Sequence, residues 1–177
     1  MNSIDKNQEE KNRESLSGRK AVEKIKELSD GQTCFFCTVA LEGDPKGTRP
    51  MSVQKTDDEG TLWFLSPDDS FTVKEVEADP QVKLFFKGSA YSDFLMLTGK
   101  AQVSKDKTKI KELWEPVLKT WFTEGENDPR ITVIKVVPED GYYWDTKHGM
   151  MVAGIKMLIG AVTGKTLDDS IQGDLKV

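Results

Sequence analysis

Apolar residues recur along this chain with two different periods. Between residues 14 and 29 they fall at Leu16, Val22, Ile25 and Leu28, on or near one face of a helix. Beyond Gly31 the pattern changes to short runs rich in β-branched and aromatic residues: Thr33 to Leu41, Arg49 to Thr56 and Thr61 to Ser66. Gly43-Asp44-Pro45-Lys46-Gly47 and Asp57-Asp58-Glu59-Gly60 are turns by composition. Connections this short predict an antiparallel meander rather than strand–helix–strand crossovers.

Ser66-Pro67-Asp68-Asp69-Ser70 opens a helix running to about Ala78, which Asp79-Pro80 stops. Either serine can cap it, and Ser66 has Pro67 at the favoured first position. Gln81 to Lys87 and Tyr91 to Val103 are further strands, the second bending at Gly99. Asp106 to Phe122 is helical in pattern, with Pro116 kinking or dividing it. A loop over Gly125 to Pro129 leads to the last strands, Ile131 to Val137 and Gly141 to Trp144, and to a helix over Met151 to Thr163. About six antiparallel strands with peripheral helices predict a mainly β or α+β domain built as a small closed or split barrel. Residues 1–13 read as a flexible tail, 14–166 as the domain, and 167–177 as a C-terminal tail.

The 177 residues suit one domain. A net charge of -5 argues against a general nucleic-acid binder, which needs clustered Lys and Arg. Cys34 and Cys37 are the two cysteines, too few for a disulfide scaffold. Met1 to Arg13 lacks the apolar run of a signal peptide. Met150 to Val162 is the longest apolar stretch, and at about 13 residues it falls short of the roughly 20 that span a bilayer. These features predict a soluble, cytoplasmic protein with no membrane partner.

The stretch from Arg49 to Lys74 carries the most chemistry. If the strand opened by Arg49-Pro50-Met51-Ser52 pairs with the strand ending at Ser66, Arg49 lies near the start of the following helix. A helix N-terminus offers free N–H groups and partial positive charge. An arginine adds a planar fork suited to phosphate oxygens, and Ser66, Ser70 and Thr72 add hydroxyls. Together they form a candidate monophosphate clamp. Asp68 and Asp69 oppose it unless they point to solvent. Arg49 as a surface ion-pair partner and Ser70 as a mere cap are the plainer readings.

Other candidates carry less. Cys34-Phe35-Phe36-Cys37 has redox-motif spacing, but positions three apart on a strand face opposite sides, and no helix start follows to activate a thiol. His148, the single histidine, reads as a loop surface residue or a catalytic base. Trp114 and Trp121 are seven apart, which on one helix puts them on one face as packing residues. No Ser-His-Asp set, metal cluster or nucleotide-binding glycine loop occurs.

Arg49-Pro50-Met51, Leu62-Trp63-Phe64-Leu65-Ser66, Ser70 with Val73, and Asp79-Pro80-Gln81-Val82 together resemble the pyridoxamine 5′-phosphate oxidase-like flavin-binding split barrels. Leu113-Trp114-Glu115-Pro116, Trp121-Phe122, Gly125, Asp128-Pro129, Val137-Pro138, Tyr143-Trp144-Asp145 and Thr163-Gly164-Lys165 resemble the general stress protein 26 branch of that family. The resemblance covers residues 15 to 166. It implies a six-stranded antiparallel split barrel, a homodimer, and FMN held at the subunit interface.

By position it implies that Arg49 meets the FMN phosphate and that Pro50, Met51 and Ser52 lie along the cofactor. Gln54 hydrogen-bonds the flavin ring, Phe64, Leu65 and Ser66 supply backbone contacts, and Ser70 contacts the phosphate. Trp144 approaches the flavin of the other subunit, with Trp114 and Trp121 in or near that interface. The family often has a lysine where this chain has Thr72, and Lys74 is the residue that could reach back in its place. The activity implied is that of an FMN-dependent oxidoreductase linked to general stress response, acting on an unknown small molecule. A non-catalytic flavin-binding or flavin-storage protein is the alternative, an apo scaffold the third reading, and another flavin or a deazaflavin could replace FMN. No catalytic side chain and no metal ligand is singled out.

Overall fold

Strict alternation of buried and exposed residues runs along Gln81–Lys87, where Val82, Leu84 and Phe86 point inward and Gln81, Lys83, Phe85 and Lys87 outward. That period of two is what a sheet with one covered face requires, and it repeats through most of the chain. A computed structural model describes residues 11–39, 47–88, 93–163 and 169–177. The elements are β1 (Leu16–Ser17), α1 (Arg19–Ser29), β2 (Thr33–Cys37), β3 (Thr48–Ser52), β4 (Lys55–Thr56) and β5 (Leu62–Pro67). Next come α2 (Phe71–Ala78), β6 (Gln81–Lys87), β7 (Phe94–Ser104) and α3 (Lys107–Leu113). The chain ends with β8 (Ile131–Thr146), α4 (Met150–Thr163) and β9 (Ser170–Lys176). Short 3-10 turns occupy Pro116–Thr120 and Gly125–Asn127.

The strands form one mixed sheet in the order β1-β9-β8-β7-β6-β2-β3, with β5 pairing β8 and β4 pairing β5 off that path. All pairs are antiparallel except β1 with β9. This is the split-barrel class that the sequence predicts, with nine strands among the described residues rather than six. The sheet curls but does not close. It opens at Val53-Gln54, where successive amides bond in different directions: Val53 N–H to the Gln32 carbonyl, and Gln54 N–H to the Trp63 carbonyl. The single strand expected over Arg49 to Thr56 is therefore two. β3 stays with β2, β4 crosses to β5, and a gap separates β3 from β5.

Four other expectations change. The first helix starts at Arg19, because Leu16 and Ser17 pair with Leu175 and Lys176 instead. Within the expected C-terminal tail, Ser170–Lys176 form β9, which runs along β8 from Asp140 to Thr146, and Asn12 and Glu14 also bond Gln172. The helix expected over Asp106 to Phe122 ends at Leu113, and Pro116 opens a separate 3-10 turn. The last two predicted strands are one, since a bulge opposite Thr98/Gly99 absorbs the residues around Pro138. A Cβ at Gly99 would meet the Val137 carbonyl oxygen, so this crossing needs glycine. The first ten residues, the Gly43-to-Lys46 part of the predicted turn, Tyr91, and Gly164-Lys165 lie outside the described residues.

Two cores sit on opposite faces of the sheet. The larger fills the barrel, with Phe36, Leu62, Phe64, Leu84, Leu97 and Ile134 among its buried members. The smaller lies outside β5 and β8, where Ile110, Leu113, Leu118 and Phe122 pack on Ile131 and Val133. Trp63, Leu65 and Trp114 border it. No helix among the described residues is long and apolar enough to cross a membrane.

Candidate functional site

α2 begins at Phe71 because Ser70 caps it. The Ser70 backbone is extended and its Oγ accepts from the Val73 N–H at 3.2 Å. Of the two candidate serines, Ser66 is instead a buried residue of β5, with its Oγ 2.9 Å from Ser70 Oγ. Pro67 closes β5, paired with Ile131, and is not the first helical residue. First-turn amides have no partner inside a helix, so those of Phe71 and Thr72 are donors available to an anion. Asp68 is engaged elsewhere: it accepts from Lys105 Nζ at 2.6 Å, and that ammonium holds its carboxyl below the usual carboxylate range.

Arg49 does reach this helix, although β3 and β5 do not pair. It lies opposite Phe36 in the β2–β3 ladder and shares the inward face. Its Nη1 donates to Thr72 Oγ1 at 3.0 Å and to Glu75 Oε2 at 2.6 Å. Glu75 is fully buried, and its Oε2 also accepts from Thr38 Oγ1 at 2.5 Å. The other oxygen, Oε1, is buried with no hydrogen-bond partner among the described residues. Sequence reading missed Glu75. The signal was present, since Glu75 follows Thr72 by three positions and so shares its helix face.

The gap between β3 and β5 forms a cleft of about 510 Å³, within the range of small-molecule pockets. Pro50, Met51 and Ser52 line it from β3, and Leu65 and Pro67 from β5. Gln54 lies at the crossover, its Nε2 donating to the Ser52 carbonyl at 3.1 Å. Val117, Trp121 and Phe122 close the outer side. The Trp63 carbonyl receives the Gln54 N–H at 2.8 Å, so the Trp63 backbone faces β4. By alternation, Leu65 turns its N–H and C=O to the same side, where no strand continues among the described residues. A strand edge with free donors and acceptors therefore borders the cleft.

The remaining predicted residues divide. Phe64 and Ser66 belong to the alternate set whose backbone faces β8; Thr132 Oγ1 donates to the Ser66 carbonyl at 2.7 Å. The Phe64 ring sits in the core, edge-on to Phe36 at 5.2 Å. Thr72 is buried and holds Arg49, while Lys74 is exposed, with its ammonium 5.7 Å from the Phe71 ring centroid. Trp144 does not line the cleft of its own chain. It lies on the outer face of the sheet with Phe35, Phe85 and Phe94, around a shallow groove of about 360 Å³. Trp114 caps the end of α3 and packs toward Phe122, whereas Trp121 follows the 3-10 turn and is 60% exposed, so the two do not share one helix.

His148 is more than a loop residue. Its Nδ1 lies 2.7 Å from Oδ1 of buried Asp169, which also accepts from Lys156 Nζ at 2.7 Å, tying α4 to the segment before β9. Cys34 faces the core and Cys37 the outside; burial pushes the Cys34 thiol up to about 12. Among the described residues no group of His, Cys, Asp or Glu could hold a metal ion.

The cleft suits the ring of a flavin. It offers apolar surface at Pro50, Met51 and Leu65, and an open backbone edge for ring polar atoms. Beside it, the Arg49 guanidinium is set against the buried carboxylate of Glu75.

Known proteins share this architecture. A structure named for general stress protein 26 from Jannaschia sp. CCS1 superposes with a TM-score of 0.73 at 24% identity, covering 90% of this chain and 100% of that one. General stress protein 26 from Bacillus anthracis str. Sterne gives 0.60 at 24% identity, over 69% of this chain and 92% of its own. The general stress FMN/FAD binding protein of Xanthomonas citri gives 0.57 at 22% identity, over 68% and 84%. Protein bli-3 of Neurospora crassa is 24% identical over 156 residues, 81% of this chain and 75% of that protein. The family model described as pyridoxamine 5′-phosphate oxidase like matches residues 20–168, and with that match the chain belongs to the pyridoxamine 5′-phosphate oxidase-like family.

Proposed function

We propose that this chain is a cytoplasmic FMN-binding flavoprotein, linked to stress response, that works as a homodimer oxidoreductase on a small molecule. The observation that carries the reading is the cleft between β3 and β5, where Pro50, Met51, Ser52, Gln54 and Leu65 meet beside Arg49 and the start of α2. The flavin-binding description of the Xanthomonas citri neighbour supports it. Bound FMN supplies electron and hydride chemistry, and the protein supplies position and electrostatics. Leu65 presents its backbone edge to the ring, Gln54 an amide, and Arg49 with the Phe71 and Thr72 amides the donors for the phosphate.

The second subunit enters through Trp144. That ring is 43% exposed on a face with Phe35 at 58% and Phe85 at 44%, an apolar patch that marks an interaction surface. Pro50 stands opposite Phe35 in the β2–β3 ladder, so the patch runs to the rim of the cleft. A second copy packed there brings its Trp144 toward the flavin.

The purified full-length protein is expected to carry an oxidised-flavin absorbance band, with FMN as the mass released on denaturation. Absence of the band, with no uptake of added flavin, overturns the reading. Reduction by a nicotinamide cofactor with turnover on an acceptor separates an oxidoreductase from a flavin store. Arg49→Ala, folded by circular dichroism, is expected to weaken FMN binding at least about tenfold, because a phosphate there loses a charged hydrogen bond and faces Glu75 unopposed. Unchanged affinity in a fluorescence titration removes Arg49 from the site.

A further inference from the structure

The anion end of the cleft holds a countercharge that arises from α2 itself. Glu75 is fully buried, and its Oε2 lies 2.6 Å from Arg49 Nη1. Thr72 Oγ1 takes a second bond from the same nitrogen. Lys74, the cation that α2 itself carries, is exposed beside the Phe71 ring. A guanidinium and a carboxylate at that separation, the first 23% exposed and the second fully buried, offset much of each other's field.

We infer that Glu75 offsets the charge of Arg49 at the phosphate end of the cleft, so that this chain selects weakly for the terminal phosphate and takes riboflavin almost as well as FMN. This rests on the flavin reading above. Two features of Glu75 lead to it. First, a phosphate dianion approaching Arg49 also approaches a buried carboxylate, and repulsion from the second offsets attraction to the first. Second, Glu75 Oε1 has no donor among the described residues, and a buried acceptor without one is costly. With no donor on that side, the Glu75 charge keeps its repulsion toward a dianion. The first-turn amides of α2 remain as donors for a phosphate, but they are neutral groups and supply a smaller gain than a charged side chain. Binding strength then comes from the ring portion, which FMN and riboflavin share.

The test is a pair of titrations of the full-length apoprotein, with FMN and with riboflavin, at low and high salt. The expected dissociation constants differ by less than about tenfold, and the FMN value changes little with salt. Glu75→Gln is expected to tighten FMN about tenfold while leaving riboflavin unmoved. Thr72→Lys, which keeps Glu75 and adds a cation beside it, is expected to shift FMN in the same direction and serves if Glu75→Gln does not fold. FMN binding a hundredfold or more tighter than riboflavin in the unmodified protein overturns the inference and leaves the flavin reading standing. Failure of both flavins to bind overturns both.

Discussion

Strand β8 passes through two halves of one outer sheet face, and the chain treats them differently. At its start, Ile131 and Val133 are buried beneath Ile110, Leu113, Leu118 and Phe122, residues that the chain folds back for this purpose. Past the bulge at Thr98/Gly99 the same face carries Tyr142 and Trp144, beside Met96, Phe94, Phe85 and Phe35. Nothing in the described chain covers that half, and Phe35 is 58% exposed. Both halves are apolar, yet only one is closed from within. Large apolar patches left open on a soluble fold mark a surface meant for something else. The cleft lies between the halves, bounded by Trp121 and Phe122 from the closed half and by Pro50 next to the open one.

The largest effect expected comes from the core that both halves share. Phe64 is fully buried on the inner face, edge-on to Phe36 with rings at 88°. Phe64→Ala is expected to cost about 3–5 kcal/mol, read from urea denaturation. On the closed half, Leu118→Ala removes a side chain that is 7% exposed and sits in a smaller cluster. About 2 kcal/mol is expected there. A Leu118→Ala loss equal to that of Phe64→Ala would show the outer cluster to be as essential as the barrel core, and would erase the ranking.

The open half should behave in the opposite way. Phe85→Glu puts a charge on an exposed position of β6, and folded-monomer stability is expected to move by less than about 0.5 kcal/mol. The association state is expected to change instead, with sedimentation falling from dimer to monomer. Trp144→Ala is expected to do the same more weakly and to alter the absorbance or fluorescence of bound flavin. Sedimentation of Phe85→Glu as an unchanged dimer would mean that the open half is not the interface.

Much of this architecture could be read along the chain. The alternation in Gln81–Lys87 announces a strand with one covered face, and the structure bears it out residue by residue. Pairings hundreds of atoms apart are harder. Nothing local tells β9 that β8 awaits it, since Ser170–Lys176 is polar except at Ile171 and Leu175, and its pairing is decided by a strand some 30 positions earlier. The separation of β3 from β4 also escapes, because a change of sheet partner at Val53-Gln54 leaves no mark on composition. At the site, Arg49 and Ser70 were found from residue chemistry, and the structure brings both to the start of α2. Glu75 was overlooked because a glutamate within an eight-residue helix usually faces water. Only its phase relative to Thr72 shows that it turns inward.

The smallest predicted effect concerns what fastens the cover to the closed half. Asp128, in the loop between the 3-10 turn and β8, takes bonds from the Arg130 backbone N–H at 3.1 Å, from its Nε at 3.1 Å and from its Nη2 at 2.8 Å. Those bonds to Arg130 hold its carboxyl well below the ordinary 3.8, at about 2. A carboxyl whose folded value is depressed stabilises the fold at pH above its unfolded value and loses that contribution as pH falls through the folded one. The contribution of Asp128 is therefore complete above about pH 4 and fades between about pH 4 and pH 2. Glu112, held at about 2 by Lys109 and Lys55, titrates in the same window, so one acid limb cannot be assigned by inspection. The difference between the parent chain and Asp128→Asn isolates it. That difference in denaturation midpoint is expected to be constant from pH 7 to pH 5 and to narrow steadily toward pH 2. A gap that stays the same at every pH would show that Asp128 holds the loop as a hydrogen-bond acceptor only, with no share in the acid sensitivity of the cover.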